Sequence, residues 1–344
     1  MSSLITDVRV GLSDIEQVGS GLKRPECILC TRSGDLYIAH LGAGVMHIAA
    51  DGTQTVIGDT AEMDGEPWIP NGIAFRNGRD AADGFLVANM GGGGGGVWHL
   101  APDGALSPWL MEVDGEKLSK ANFVFLDERG RVWVTVTTRS DHVPDAMTAL
   151  GAPERADGFI VMDDGNGARI VADGLSFTNE ARFDAAGEHL YVAETFGRRI
   201  SRYRVAADGA LSDRETFASF GHGTFADGIA FDAEGCLWVA SVISNRLIRI
   251  APDGTQHIVI EDSDAAHLDA VETSLASGNV QREMFYKPQG KLLKNIASIS
   301  FGGPDLRTVY LGSLAGESLA VFRSPVAGAP LPHWDTNKLQ SPLL

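Results

Sequence analysis

A six-bladed β-propeller is the fold that this 344-residue sequence predicts, and three observations support it. A pattern of a polar residue, alternating apolar residues, a Gly-containing turn and a branched or aromatic strand occurs six times. The polar first residues of five copies lie about 50 positions apart, which is typical of a repeat architecture. No amphipathic helical stretch interrupts these units, so four short strands per repeat are expected, as in propeller blades.

The six copies keep the same order of features along the chain. In three of them, 11 positions separate the polar first residue from the aromatic residue of the second strand: Glu26 to Tyr37, Asn122 to Trp133 and Asp227 to Trp238. The remaining copies begin with Asn71, Asn179 and Asn295. We expect five of these first residues to begin the innermost strands and to surround one mouth of the central channel: Glu26, Asn71, Asn122, Asn179 and Asp227.

A second hairpin follows in four of the repeats, and its turn contains an Asp-Gly pair in each case: Asp51-Gly52, Asp103-Gly104, Asp208-Gly209 and Asp253-Gly254. Because glycine readily adopts positive φ, these pairs predict two-residue hairpin turns on the face opposite the mouth. The whole chain, 1–344, is predicted to form one propeller domain with insertions at about 138–157 and 262–294. In the second insertion, Leu268, Val271 and Leu275 have the spacing of a short helix.

Composition excludes several classes of partner. The chain has 28 Lys and Arg against 45 Asp and Glu, a net charge of −17, whereas nucleic acids and anionic membranes attract basic proteins. It has no apolar run of transmembrane length and no basic, apolar leader at its N-terminus. Neither a nucleic-acid partner nor a membrane partner is expected, and the sequence predicts a cytoplasmic protein.

The chain contains three cysteines, too few for a disulfide framework. Cys27 and Cys30 form a C-x-x-C pair, which in other contexts indicates redox or metal chemistry. No second pair accompanies it, and no helix follows. We therefore interpret these cysteines as two small buried residues of a strand.

Four polar residues at blade starts suggest a metal site. Glu26, Asn122, Asn179 and Asp227 would bring two carboxylates and two amide oxygens together at the mouth. Hard oxygen donors favour one divalent cation, Ca²⁺ or alternatively Mg²⁺, Mn²⁺ or Zn²⁺. The alternative is that Asn and Asp begin these strands because their side chains stabilise turns, which is the preferred interpretation for Asn71-Gly72 taken alone.

Several of these residues occur in motifs that resemble a known family. The motifs are Arg24-Pro25-Glu26-Cys27, Asn179 ahead of Leu190-Tyr191-Val192, the run from Asp227 to Ala240, and Phe301-Gly302-Gly303-Pro304-Asp305-Leu306. They are similar to the senescence-marker-protein/gluconolactonase family, also called regucalcin-like, over about Gly21 to Arg323. The resemblance implies a six-bladed propeller with one catalytic divalent metal that hydrolyses lactones, most often sugar lactones.

The resemblance also implies roles for individual residues. Glu26, Asn179 and Asp227 fall on the metal ligands, Asn122 on a further Asn near metal and substrate, and Asp227 on the general base. The chain departs from the family at three positions that we expect to border the substrate pocket. They are Lys120 in place of Arg, Phe123 in place of Asp or Gly, and Glu180 in place of Gly. These departures favour a lactone other than a hexose lactone.

The leading hypothesis is a metal-dependent lactonase in which the metal polarises the carbonyl and Asp227 activates water. Four residues are predicted to contact the small-molecule lactone: Asn122, Lys120, Asn71 and His142. For His142 an exposed loop position is the alternative. Two other functions stay open, a metal-dependent esterase or phosphotriesterase using the same site and a non-enzymatic binding propeller. The sequence leaves both a monomer and a homodimer open.

Overall fold

The computed structural model of the chain describes residues 7–59, 62–63, 65–91, 94–140, 147, 155–279, 283–287 and 290–334. Its strands form six antiparallel four-stranded sheets and two small hairpins. The first strands of the sheets contact one another in sequence order around a central channel. The predicted six-bladed β-propeller is therefore confirmed.

The strands of each blade are given from the channel outwards. Blade 1 is β2–β5 (Ile28–Cys30, Leu36–His40, Gly44–Ile48, Gln54–Ile57), and blade 2 is β8–β11 (Pro70–Phe75, Phe85–Asn89, Gly96–Leu100, Leu106–Leu110). Blade 3 is β14–β17 (Ala121–Leu126, Val132–Val136, Gly158–Asp163, Ala168–Leu175). Blades 4 and 5 are β18–β21 (Thr178–Phe183, His189–Glu194, Arg199–Val205, Leu211–Ser219) and β22–β25 (Phe225–Phe231, Leu237–Val242, Arg246–Ile250, Gln256–Glu261). Blade 6 combines β26–β28 (Ile296–Gly302, Thr308–Ser313, Leu319–Arg323) with β1 (Glu16–Val18). The hairpins β6–β7 (Glu62–Met63, Glu66–Pro67) and β12–β13 (Glu112–Val113, Glu116–Lys117) precede blades 2 and 3.

The sixth blade differs from the repeat that the sequence predicts. The last repeat contributes three strands, and the fourth is β1, which pairs antiparallel with β28 through Glu16 opposite Val321 and Val18 opposite Leu319. A ring of sheets needs a contact between its first and last parts, and strand exchange supplies backbone hydrogen bonds for it. The same pairing covers the edge of β28, which would otherwise present unpaired backbone groups.

The four Asp-Gly turns join the third and fourth strands of their blades, as predicted, but their loops are longer than expected. In the first, Ala49 and Thr53 pair across three intervening residues, and Gly52 has φ +88°. The side chain of Asp51 accepts a hydrogen bond from the Thr53 N–H at 2.9 Å. The other three turns repeat this arrangement, so glycine takes the left-handed position of a three-residue loop.

Two helices lie in the second insertion, α1 (Ala265–Ala276) and α2 (Glu283–Tyr286). Helix α1 buries Leu268, Val271 and Leu275, which confirms the helix predicted from their spacing. Short 3-10 turns occur at Leu12–Asp14, Ala81–Asp83 and Pro332–Trp334. Within the described ranges, every helix is too short or too polar to cross a membrane.

The cysteines are unbridged and buried. Burial raises the pKa of both the Cys27 and the Cys30 thiols to about 12. The thiol of Cys27 contacts the backbone of Ile73 in the next blade, at 3.4 Å from its nitrogen. Both side chains therefore act as small core residues, as the sequence predicts.

Candidate functional site

The polar first residues of five blades gather at the mouth of the channel, the end at which the innermost strands begin. Each is at most 5% exposed: Glu26, Asn71, Asn122, Asn179 and Asp227. In four of these blades the strand register shifts at the polar residue, within Pro70–Ile73, Ala121–Phe123, Thr178–Ala181 and Ala226–Ile229. A β-bulge of this kind breaks the alternation of the strand and turns a side chain out of its expected face. The bulges thus explain how polar residues of buried strands reach the channel.

Two bulges contain glycines that allow neighbouring strands to approach closely. A Cβ on Gly72 would lie 2.6 Å from the Phe123 Cα, and one on Gly228 would lie 2.5 Å from the Ala297 carbonyl oxygen. Neither glycine has positive φ. Asn71-Gly72 is therefore a packing contact between innermost strands, and the turn interpretation favoured for it is wrong.

Three oxygens at the mouth are buried without a hydrogen bond from the described residues: Glu26 Oε2, Asn179 Oδ1 and Asp227 Oδ1. Glu26 Oε2 has the Arg24 guanidinium 2.5 Å away as an ion-pair partner, whereas Asn179 Oδ1 and Asp227 Oδ1 have no donor among the described residues. Buried acceptors normally have a partner, so these atoms require an explanation. The three residues are also those that the family resemblance assigns as metal ligands. Among the described residues, no group of three or more His, Cys, Asp or Glu could hold a metal ion, so the candidate donor set depends on the amide of Asn179.

The carboxylates at the mouth repel one another. Burial, and next the charges of Glu26 and Glu180, raise the pKa of Asp227 well above its ordinary value, and the charge of Arg24 and the nearby Asn179 side chain offset this in part. Burial also raises the pKa of Glu26, and the charge of Arg24 offsets this in part. Nearby positive charge favours ionised carboxylates, so a cation at this point would stabilise both.

Arg24 extends into the mouth beside Glu26. Its Nη2 lies 2.5 Å from Glu26 Oε2, and its Nη1 donates to Asn71 Oδ1 at 2.8 Å. Burial alone lowers the pKa of Arg24. The overall shift is upward, because the carboxylates of Glu26 and Asp227 and the hydrogen-bonded hydroxyl of Tyr286 favour the charged guanidinium. Sequence reasoning used Arg24 only as part of a motif and missed this position, for which the adjacent Glu26 was the only signal.

Asn71 and Asn122 form a bridge between blades 2 and 3. The Asn71 amide donates to the Asn122 backbone oxygen at 2.9 Å and to Asn122 Oδ1 at 3.2 Å. The Asn122 amide donates in turn to Thr137 Oγ1 at 3.1 Å. Asn122 Oδ1 therefore has a donor, in contrast to Asn179 Oδ1.

Glu180 and Arg182 lie deeper in the channel. Glu180 is 5% exposed, pairs with Arg182 at 3.3 Å and accepts a hydrogen bond from the Ile229 N–H at 3.2 Å. Burial, with a smaller contribution from Glu26, raises its pKa to about 7 against the opposing charge of Arg182. The Arg182 guanidinium stacks on Phe123, 4.4 Å from the ring centre. Glu180 is thus buried within the channel, and its position beside a substrate pocket stays a prediction.

The remaining predicted substrate contacts have different outcomes. Lys120 is 5% exposed, and its backbone oxygen accepts from the Thr137 N–H just before β14. Its contact with a substrate stays a prediction. His142 lies outside the described residues.

The second insertion packs beside the mouth. Phe285 of α2 contacts Phe196 at 5.3 Å and Phe225 at 6.2 Å between ring centres. Glu272 of α1 accepts from the Gly223 N–H and pairs with Arg198. These contacts fix the insertion on blades 4 and 5 and bring Tyr286 to Arg24.

A cavity of about 480 Å³ lies at the opposite end of the channel. Phenylalanines of the innermost strands line it, and all but Phe123 lie at or near the ends of their strands: Phe75, Phe123, Phe125, Phe183, Phe231 and Phe301. Phe123, expected to border the substrate pocket, lines this cavity, and its contact with a substrate stays a prediction. Residues 329–333 also line the cavity, and His333 Nε2 contacts the Cys30 oxygen at 2.9 Å.

Comparisons with known proteins agree with the family resemblance and with the propeller fold. The family model described as the SMP-30/Gluconolactonase/LRE-like region matches residues 28–266, which confirms the resemblance seen in the motifs. A 6-deoxy-6-sulfogluconolactonase of Pseudomonas putida is 27% identical over 234 residues, 67% of this chain and 65% of the relative. A pentonolactonase of Haloferax volcanii is 27% identical over 216 residues, 60% of each chain.

The chain therefore spans 65% and 60% of the lengths of these two curated relatives. Among solved structures, a gluconolactonase of Xanthomonas campestris superimposes with a TM-score of 0.64 at 20% identity. That match covers 90% of this chain and 89% of the other, and it supports the propeller fold.

Proposed function

The chain belongs to the SMP-30/gluconolactonase/LRE-like family, and we propose that it is a metal-dependent lactone hydrolase. The observation that carries the proposal is the group of buried oxygens of Glu26, Asn179 and Asp227 that receive no hydrogen bond from the described part of the chain. Carboxylate and amide oxygens are suitable ligands for hard divalent cations. A cation at this position would satisfy all three atoms and relieve the repulsion between the two carboxylates.

Glu26, Asn179 and Asp227 would hold the cation, with Asn122 beside it. When bound there, a divalent cation supplies Lewis acidity that polarises a lactone carbonyl and stabilises its developing negative charge. The oxygen donors accept Ca²⁺, Mg²⁺ or Mn²⁺ and, less readily, Zn²⁺.

Asp227 would act as the general base. Its burial and the charges of Glu26 and Glu180 raise its pKa, which supports a role as the proton acceptor. The water oxygen attacks the acyl carbon while Asp227 takes the water proton. The ring C–O bond then breaks, and the proton passes to the ring oxygen, giving the open hydroxy acid.

The substrate class is a sugar lactone or a related lactone. The printed names of the two curated relatives, a sulfogluconolactonase and a pentonolactonase, support this class. Asn71, Lys120 and Asn122 surround the mouth and are proposed to contact the substrate. The contact predicted for His142 and the cytoplasmic location stay predictions of the sequence.

The proposal is tested by elemental analysis of the purified protein combined with a pH-drop assay on several lactones, with and without chelator. We expect about one divalent ion per chain and acid release that stops on chelation and returns on adding metal. Asn179→Ala should lose the bound metal and the lactone hydrolysis. The matched control Asn166→Ala, on an exposed turn, should keep the metal and the hydrolysis. Metal without lactone turnover would redirect the search to aryl esters and phosphotriesters. Absence of both metal and turnover would favour a binding propeller.

A further inference from the structure

We propose that Arg24 makes this site selective for lactones that carry a second, acidic group, such as a carboxylate away from the ring ester. The inference rests on the proposed lactonase function and names the substrate class of the same site. It follows from the backbone that positions Arg24, from the balance of charge at the mouth and from the donors of the guanidinium.

The backbone around Arg24 is held in place. Arg24 has φ +50°, in the left-handed region that residues other than glycine rarely occupy, and it directly precedes Pro25. The flanking residues are fixed to other loops, since the Lys23 oxygen accepts from the Leu41 N–H at 2.9 Å and the Pro25 oxygen from the Ser313 N–H at 2.9 Å. An unfavourable backbone conformation that neighbours enforce is frequent at functional sites.

The charges at the mouth do not balance once a divalent cation is present. Glu26 and Asp227 together would neutralise such a cation, and Glu180 is already paired with Arg182. Arg24 then keeps a full positive charge, with the neutral groups of Asn71 and Tyr286 as its remaining partners. A buried charge without a counterion is unfavourable, so an anionic substituent on the substrate would stabilise it.

The guanidinium has the donors that such a substituent requires. It presents five N–H groups in a planar fork, of which Asn71 Oδ1 takes one. Its contact with Glu26 Oε2 is close but lacks hydrogen-bond geometry, so N–H groups of the guanidinium stay available for another acceptor. Asn71 on one side and the Tyr286 hydroxyl on the other hold the group at the mouth. A carboxylate could therefore bind to it through two parallel hydrogen bonds.

Two lactones with the same ring provide the test. Galactono-1,4-lactone is neutral, whereas galactaro-1,4-lactone carries a carboxylate in place of the terminal CH2OH. With the calcium-loaded protein, we expect kcat/KM to be about tenfold or more higher for the carboxylated lactone. In Arg24→Gln this preference should fall by about ten- to a hundredfold, mainly through KM, because a charge-assisted contact is lost. Arg24→Lys keeps the charge but lacks the planar fork, so its preference for the carboxylated lactone should lie between those of the wild type and Arg24→Gln.

An equilibrium measurement separates recognition from catalysis. Calorimetric titration with galactonate and galactarate, the two hydrolysis products, should show the wild type favouring the dianion and Arg24→Gln losing that preference. Metal content and thermal unfolding are measured for every variant, so that loss of the ion or the fold is recognised. If Arg24→Gln does not fold, Arg24→Lys alone tests the inference. Its preference for the carboxylated lactone should be severalfold lower than that of the wild type.

Arg323→Gln is the matched control, because Arg323 pairs with Asp305 in the loop after β26, at the end of blade 6 opposite the mouth. It should keep the wild-type preference. Equal rates on both lactones in the wild type, or an equal loss of both in Arg24→Gln, would overturn the inference and leave the lactonase proposal intact. Hydrolysis of no lactone by the metal-loaded wild type would refute the proposed function itself.

Discussion

Asp227 and Asp232 lie five residues apart, near the two ends of β22, and both are buried. Asp232 Oδ2 accepts hydrogen bonds from Trp238 Nε1 at 2.8 Å and from Arg249 Nε at 2.7 Å. Its other oxygen accepts from two backbone N–H groups. Asp227, at the mouth, faces Glu26 and Glu180 instead, and its Oδ1 receives no hydrogen bond from any described residue.

The difference distinguishes a structural carboxylate from a candidate catalytic one. Burial of a charge is tolerated where an ion pair and hydrogen bonds compensate it, as around Asp232. At Asp227 the fold keeps a carboxylate buried beside like charges, which lowers stability unless a cation or proton joins it. Such uncompensated groups are typical of functional sites.

The same contrast holds for the two ends of the channel. At the mouth, bulges direct polar residues inward, whereas phenylalanines close to the strand ends line the opposite cavity. One set of six innermost strands therefore provides a polar site at the mouth and, at the other end, a cavity lined by phenylalanines together with charged residues such as Asp127, Arg131 and Arg182.

Asp227→Asn should have the largest effect. We expect lactone hydrolysis to fall by about a thousandfold or more, because the variant lacks both a metal ligand and the general base. The chelator-treated variant should unfold at a higher temperature than the chelator-treated wild type, since it removes a carboxylate whose pKa is raised by burial and by like charges. A pH-drop assay and calorimetry measure the two effects. Retained activity would assign the base to another residue.

Asp232→Asn, the same substitution at the other end of the strand, should act on stability. Removing one partner of a buried ion pair destabilises a protein by about 3 kcal/mol, and Arg249 would keep Glu234 as a partner. Urea denaturation measures this loss, and turnover per folded molecule should equal that of the wild type. Lost turnover at full stability would contradict the division between the two aspartates.

His333, which lines the cavity opposite the mouth, should make the stability of the protein sensitive to acid. Burial, against an opposing hydrogen bond to the Cys30 oxygen, lowers its pKa to about 4. The unfolded chain takes up a proton on this histidine near pH 6.5, whereas the folded chain does so only near pH 4, so stability falls as pH drops through this window. Between pH 7 and pH 4.5 the contribution is about 2 kcal/mol.

The measurement compares the wild type with His333→Gln by urea denaturation at both pH values. The wild type should lose about 2 kcal/mol more than the variant on acidification. An equal loss in both proteins would show that His333 does not titrate in this window.

The fold was predictable because its signals are local and repeated. The spacing from Glu26 to Tyr37, and its recurrence from Asp227 to Trp238, reflects two adjacent strands and their turn. The Asp-Gly pairs identify the outer hairpins, although the length of the loop depends on how the flanking strands pair. The spacing of Leu268, Val271 and Leu275 predicted α1 for the same reason.

The candidate site was predictable in part. Glu26, Asn71, Asn122, Asn179 and Asp227 stand at equivalent positions of their repeats, and a propeller brings equivalent positions together around its axis. The orphaned oxygens, the partner of Glu180 and the position of Arg24 were not predictable. Each depends on a contact between blades that lie far apart in the sequence.

Periodicity and turn chemistry act over a few residues, so the number of blades, the order of their strands and the set of polar residues at the mouth follow from the amino-acid pattern alone. The completion of the sixth blade by β1, the bulge at Asn122 and the contact of Arg24 with Glu26 arise only in the folded chain. These features depend on ring closure and on the close approach of the innermost strands. A linear pattern of residues does not encode those distances.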